Sequence, residues 1–124
     1  MNELDFKADE FEVAANRDGE ELLLRTSGTA DARVEPELAA LLDRVHVRVL
    51  GDGIRRVIVD LRELEFMNSS CFKGFVTWIV RVRRLPEPEQ YHIRFRPSAQ
   101  HHWQKRSLHA ISYFGGELVT IEGT

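Results

Sequence analysis

The chain has 124 residues, of which 43% are hydrophobic and 30% are charged, and its formal net charge is -3. That length supports one domain with a hydrophobic core and is too short for two. A weakly negative chain has no general attraction to nucleic acid, and none of its apolar stretches approaches membrane-spanning length. The single cysteine leaves no internal disulfide, which is typical of a reducing compartment, so we expect a cytoplasmic protein that binds neither nucleic acid nor membranes.

The first half of the chain indicates a short lead-in, a β-hairpin and a helix. Residues 1–10 are mainly polar and charged, and they predict a weakly ordered N-terminal segment. Strand-like runs at 11–14 and 21–27 are separated by turn residues and predict a hairpin. Leucine and valine then recur at three- and four-residue steps, which predicts a helix over 36–50.

The second half alternates strands and helices. A β-branched run predicts a buried strand over 55–61, and a long apolar segment predicts a helix over 70–85. Alternation of apolar and polar residues predicts a strand over 91–96. A third helix over 100–114 and a last strand over 117–121 complete the order.

This order of elements defines the expected fold class. After the hairpin, strands and helices alternate at lengths that favour an α/β fold with a mixed, mostly parallel sheet and helices packed on it. We expect residues 11–124 to form this single domain.

The most informative motif is Asn68-Ser69-Ser70, which lies between the strand at 55–61 and the following apolar helix. A helix leaves the N–H groups of its first turn without intrahelical partners, and a hydroxyl there either caps the helix or, once phosphorylated, meets the positive end of its dipole. Ser69 is therefore either a phosphoacceptor or a simple turn or cap residue. Ser70 is the residue that we expect to cap the helix.

The helix after this motif is apolar over roughly 200° of its circumference, more than docking on a sheet requires. Two explanations are open: neighbouring helices cover both flanks, or one flank near Trp78 and Val82 is a partner surface. Phe75 lies near the centre of the apolar arc and is expected in the core. Trp78 lies at its edge, and we expect it to anchor a partner rather than the fold.

Other candidate residues have simpler explanations. Cys71 is either a small packed residue or a reactive thiol at a helix N-terminus, and the first is favoured because it falls within the apolar arc. Lys73 is either a solvated lysine or a partner for a phosphate on Ser69. The three histidines of the third helical segment, His101, His102 and His109, lack zinc-ligand spacing. We predict no metal site, no cofactor and no catalytic residue.

The run Val57-Ile58-Val59-Asp60-Leu61, followed by Phe66-Met67-Asn68-Ser69-Ser70, resembles the STAS domain of bacterial anti-sigma factor antagonists. In that family the loop usually has Asp in place of Asn68 and Gly in place of Cys71. The hydroxyl residue after the acid is phosphorylated by a partner kinase, which implies Ser69 here. The loop is also similar to that of small STAS-like regulators of diguanylate cyclases, at Asn68, at the hydroxyl of Ser69 and at Lys73.

The resemblance implies a non-enzymatic bacterial signalling module. Its partner would be an anti-sigma regulator of the serine kinase type or a diguanylate cyclase, bound through Asn68, Ser69, Ser70, Lys73 and Trp78, and phosphorylation of Ser69 would release it. Two alternatives stay open. One is a constitutive scaffolding protein whose homodimer buries the surplus apolar face, and the other is a small-ligand binder, for example of a nucleotide, at the loop.

Overall fold

The computed structural model describes residues 4–123, which form a six-stranded sheet and three helices. The strands are β1 (Phe6–Ala8), β2 (Phe11–Asp18), β3 (Glu21–Ala30), β4 (Arg56–Met67), β5 (His92–Arg96) and β6 (Val119–Ile121). The helices are α1 (Glu35–Asp52), α2 (Ser69–Arg83) and α3 (His102–Gly115). The strands lie side by side in chain order, antiparallel from β1 to β3 and parallel from β3 to β6. The predicted mixed α/β architecture is confirmed.

The N-terminal segment, predicted as a lead-in without strands, contains one short strand. Residues 1–3 lie outside the described part of the chain, but Phe6–Ala8 form β1, which pairs with β2. Leu4 is buried, and the ring of Phe6 lies 5.9 Å from that of Phe11. Burial of Leu4 and partial burial of Phe6 pack this segment against the core.

The helices cover one face of the sheet, and α2 lies between α1 and α3. Alternate residues of the strands, such as Val57 and Val59, join the buried side chains of all three helices in a single core. The intervening residues face away from the helices, where Arg25 and Arg56 are exposed. Among residues 4–123, every helix is too short or too polar to span a lipid bilayer.

Strand β4 continues to Met67, six residues beyond its predicted end at residue 61. Its pairing with β3 shifts register twice, the second time between Gly28 and Thr29. Gly28 has a φ of 86°, and a Cβ on it would lie 1.8 Å from the carbonyl oxygen of Glu10, so only glycine fits there. Beyond these irregularities β4 stays paired with β3 as far as Met67, the residue before Asn68.

Candidate functional site

Asn68 joins the end of β4 to the start of α2 and caps that helix. Its backbone N–H donates to the carbonyl oxygen of Ala30 at 2.7 Å, and its φ of -64° and ψ of 148° are extended. Its side-chain Oδ1 accepts from the N–H of Ser70 at 2.8 Å and from the Ser70 hydroxyl at 2.7 Å. The prediction that Ser70 is the cap is wrong because α2 begins one residue earlier, at Ser69. Ser70 instead supports the Asn68 side chain.

Ser69 is the first residue of α2, and its side chain is exposed. Within residues 4–123, no group forms a hydrogen bond with its hydroxyl, whereas the neighbouring Ser70 hydroxyl is bonded to Asn68. Ser69 is therefore not the capping residue. It remains the predicted phosphoacceptor. Its hydroxyl can reach a kinase without first breaking a hydrogen bond to the described chain.

Lys73 lies four residues after Ser69, on the same side of α2, so their Cβ atoms are about 5–6 Å apart. Its side chain is exposed and forms no ion pair with a carboxylate in the described part of the chain. The ammonium group can therefore face solvent or reach a phosphate on Ser69, and both interpretations of Lys73 stay open.

Trp78 does not form a surface anchor, contrary to its prediction. The side chain is 1% exposed, and its indole N–H donates to the hydroxyl of Tyr91 at 2.7 Å. The predicted position of Trp78 around the axis of α2, at the edge of the apolar arc, is correct, but α1 covers that edge. Val82, on the same flank, is fully buried. Neighbouring helices therefore cover both flanks, and the surplus apolar face that would bury itself in a homodimer is absent at α2.

The hydrogen bond of Trp78 belongs to a buried chain that sequence reasoning missed. The hydroxyl of Tyr91 also lies 2.6 Å from Nδ1 of His46, on α1. Burial lowers the pKa of His46, and the nearby Arg81 lowers it further, while burial raises the pKa of Tyr91. Both groups are neutral at pH 7, so Tyr91 accepts from Trp78 and donates to Nδ1 of His46. No local signal in the sequence connects these three residues.

The apolar surface beside the loop is formed by Phe66 and Trp103 instead. Phe66 is 48% exposed, and its ring lies 6.3 Å from that of Trp103. Trp103 is half-buried, packs edge-on against Phe72 at 5.8 Å and donates its indole N–H to the carbonyl oxygen of Glu65 at 3.0 Å. The sequence offered one signal for this surface, a phenylalanine two residues before Asn68.

Cys71 is a packed residue, as favoured from the sequence. It is fully buried, its Sγ lies 3.4 Å from the carbonyl oxygen of Asp31, and burial raises the pKa of the thiol. A raised pKa disfavours the reactive thiolate. Among the described residues, no group of three or more His, Cys, Asp or Glu side chains is arranged to hold a metal ion.

Comparison with known proteins supports the fold. No protein-family model matches the chain, and neither does any curated protein. Among solved structures, the chain is similar to an anti-sigma factor antagonist from Mycobacterium paratuberculosis, with a TM-score of 0.66 and 15% sequence identity over 96% of this chain and 92% of that chain. At that identity the likeness is one of fold, and the predicted STAS-like α/β fold is confirmed.

Proposed function

We propose that the chain is a non-enzymatic signalling module of the anti-sigma factor antagonist type, which binds a protein partner and is switched by phosphorylation of Ser69. The observation that carries this proposal is an exposed Ser69 hydroxyl without a hydrogen bond in the described chain, three residues after the half-exposed Phe66 in the same strand-to-helix connection. A modifiable group and an exposed aromatic side chain thus belong to one short segment of the chain. The partner is an anti-sigma regulator of the serine kinase type or a diguanylate cyclase, the partners of the two groups of proteins whose loops this loop resembles.

The partner-binding surface in this proposal comprises the loop from Asn68 to Ser70, Lys73 and the aromatic pair Phe66 and Trp103. Aromatic side chains at the centre of an interface contribute much of its binding energy. The rigid cap at Asn68 fixes the loop before binding, which lowers the entropic cost of association. The polar loop and the aromatic pair together supply both specificity and apolar area.

Phosphorylation of Ser69 acts on this surface through charge and hydration. A phosphate adds about 1.5 to 2 negative charges at neutral pH, and it brings a hydration shell that an apolar contact cannot replace. The N-terminus of α2 and Lys73 stabilise the phosphate locally, so the modified loop keeps its fold while the partner loses its contact.

Paired affinity baits from the native host test the proposal. The wild type and Ser107→Asp, a control that adds the same charge on α3, are expected to retain the same partner. Ser69→Asp and Phe66→Ala are expected to lose it, the first by charge and the second by loss of the aromatic surface. If Ser69→Asp still retains the partner, phosphorylation of Ser69 does not act as a switch. If Phe66→Ala still retains it, the aromatic pair is not part of the binding surface.

Phosphorylation itself is tested by incubation with the kinases of the host, followed by mass spectrometry. We expect phosphate on Ser69 and none on Ser70, whose hydroxyl is bonded to Asn68. Phosphate on Ser70 alone, or on neither serine, would contradict the assignment.

A further inference from the structure

A groove between α3 and the last strand, β6, lies outside the surface described above. Its larger part has a volume of about 750 Å³ and is lined by α3 and by Val119, Thr120 and Ile121 of β6. A second part of about 250 Å³ continues toward Pro97 and shares His102, Lys105 and Ile121 with the first. The shared residues make these two parts a single elongated groove that follows the edge of the sheet.

One wall of the larger part is basic, and Val119 and Ile121 give its floor apolar side chains. The second part also contains Glu122, whose carboxylate is paired with Arg96. His102, Lys105, Arg106 and His109 line it from α3. They recur at steps of three and four residues, so they share one side of the helix. None of these four forms an ion pair with a carboxylate among residues 4–123. The wall therefore attracts negative charge, while the side chains of β6 contribute apolar contact area.

The spacing of the basic wall fits an extended polypeptide better than a single small anion. Residues three or four apart on a helix are separated by about 4.5–6 Å along its axis. Alternate side chains of an extended chain are separated by about 6.6 Å. Acidic residues at every second position would thus meet His102, Lys105 and His109 in turn, and the intervening residues would face β6. One carboxylate reaches only part of this wall.

We propose that the groove binds an extended segment of a partner protein in which acidic and apolar residues alternate. The segment lies in the groove between α3 and β6, with its acidic side chains toward α3 and its apolar side chains toward Val119 and Ile121. The site is separate from the Ser69 surface, so it does not depend on the proposed switch.

The probe is a fluorescein-labelled eight-residue peptide of alternating Glu and Val, titrated with the full chain and followed by fluorescence anisotropy. The same peptide with Lys in place of Glu is the comparison ligand. We expect the acidic peptide to bind, its affinity to fall as salt rises, and the lysine peptide not to bind.

Variants locate the binding site. Lys105→Glu/Arg106→Glu is expected to weaken binding of the acidic peptide at least tenfold. A tenfold change in Kd corresponds to about 1.4 kcal/mol of binding free energy. Arg25→Glu/Arg44→Glu makes the same change in net charge at exposed positions that do not line the groove, and it is expected to change the affinity less than about twofold. Circular dichroism checks that each variant is folded.

Several outcomes would overturn the proposal. These are no binding of the acidic peptide, equal binding of both peptides, or equal loss of affinity in the two double variants. Tighter binding of a single-stranded oligonucleotide than of the peptide would assign the groove to nucleic acid. A dimer in light scattering that is lost in Lys105→Glu/Arg106→Glu would assign it to a second copy of the chain.

Discussion

The buried chain of hydrogen bonds from Trp78 through Tyr91 to His46 links α2 to α1, and we expect its central residue to contribute most to stability. Tyr91→Phe removes one hydroxyl and leaves the indole N–H and the imidazole Nδ1 without partners. Trp78→Phe removes the donor and part of a ring, and it leaves only a lone pair of Tyr91 without a partner. The two substitutions therefore break the same bond but leave different groups unsatisfied.

The expected magnitudes follow from these groups. A buried hydrogen bond contributes about 0.5–1.5 kcal/mol, and a buried polar group without a partner costs about 1–3 kcal/mol. Tyr91→Phe should lower the free energy of unfolding by about 3–5 kcal/mol and Trp78→Phe by about 2–3 kcal/mol. The double variant should lose less than the sum, with a coupling energy of about 1 kcal/mol, because only Nδ1 of His46 remains unsatisfied.

Urea unfolding followed by circular dichroism measures these differences, provided that the m value is unchanged. Phe11→Leu is the control, since Phe11 is fully buried in β2 and outside the chain of hydrogen bonds. In the double variant Phe11→Leu/Trp78→Phe, the loss of unfolding free energy should equal the sum of the two single losses within about 0.5 kcal/mol. Additivity of Trp78→Phe with Tyr91→Phe, or a cost below about 1 kcal/mol for Tyr91→Phe, would refute the hydrogen-bonded chain.

Three further predictions concern pH, the helix cap and the glycine at the β3 irregularity. Because the pKa of folded His46 is lowered, the unfolded chain binds more protons below about pH 6.5, so stability should fall as the pH falls through this range, and His46→Gln should reduce that slope in unfolding titrations. Asn68→Ala should cost about 1 kcal/mol and Ser70→Ala less than half of that in urea melts, because the Asn68 side chain still accepts from the backbone N–H of residue 70. Gly28→Ala should cost more than about 3 kcal/mol and Gly19→Ala about 1 kcal/mol, since only the first places a Cβ against a backbone oxygen.

Elements with a regular apolar period were predictable from the sequence. The leucines and valines of α1 placed it within two residues of its observed ends. The extension of β4 was missed because Arg62, Glu63 and Glu65 are charged and exposed, as in a loop, although the backbone there still pairs with β3. Side-chain polarity reports exposure, and it does not reveal main-chain pairing at an irregular strand end.

The candidate site was predictable where it depends on local sequence and not where it depends on contacts between distant residues. The position of Asn68 and Ser69 at a strand-to-helix junction follows from neighbouring residues alone. The burial of Trp78 depends on His46 and Tyr91, which come from other segments. A helical projection places Trp78 around the axis of α2, but it does not show which element packs against that side of the helix. The aromatic pair of Phe66 and Trp103 likewise joins two distant parts of the chain.

The base of the loop and its surface have different roles in the proposed switch. The base is fixed by the hydrogen bonds of Asn68 and by the buried side chains of Cys71 and Phe72. The first turn of α2 contains no acidic residue, so a negative charge on Ser69 would meet an uncompensated helix dipole and stabilise the helix by about 0.3–1 kcal/mol. The same charge disfavours contact with an apolar partner. Loss of partner binding by Ser69→Asp, with stability unchanged or increased, therefore distinguishes a surface switch from local unfolding.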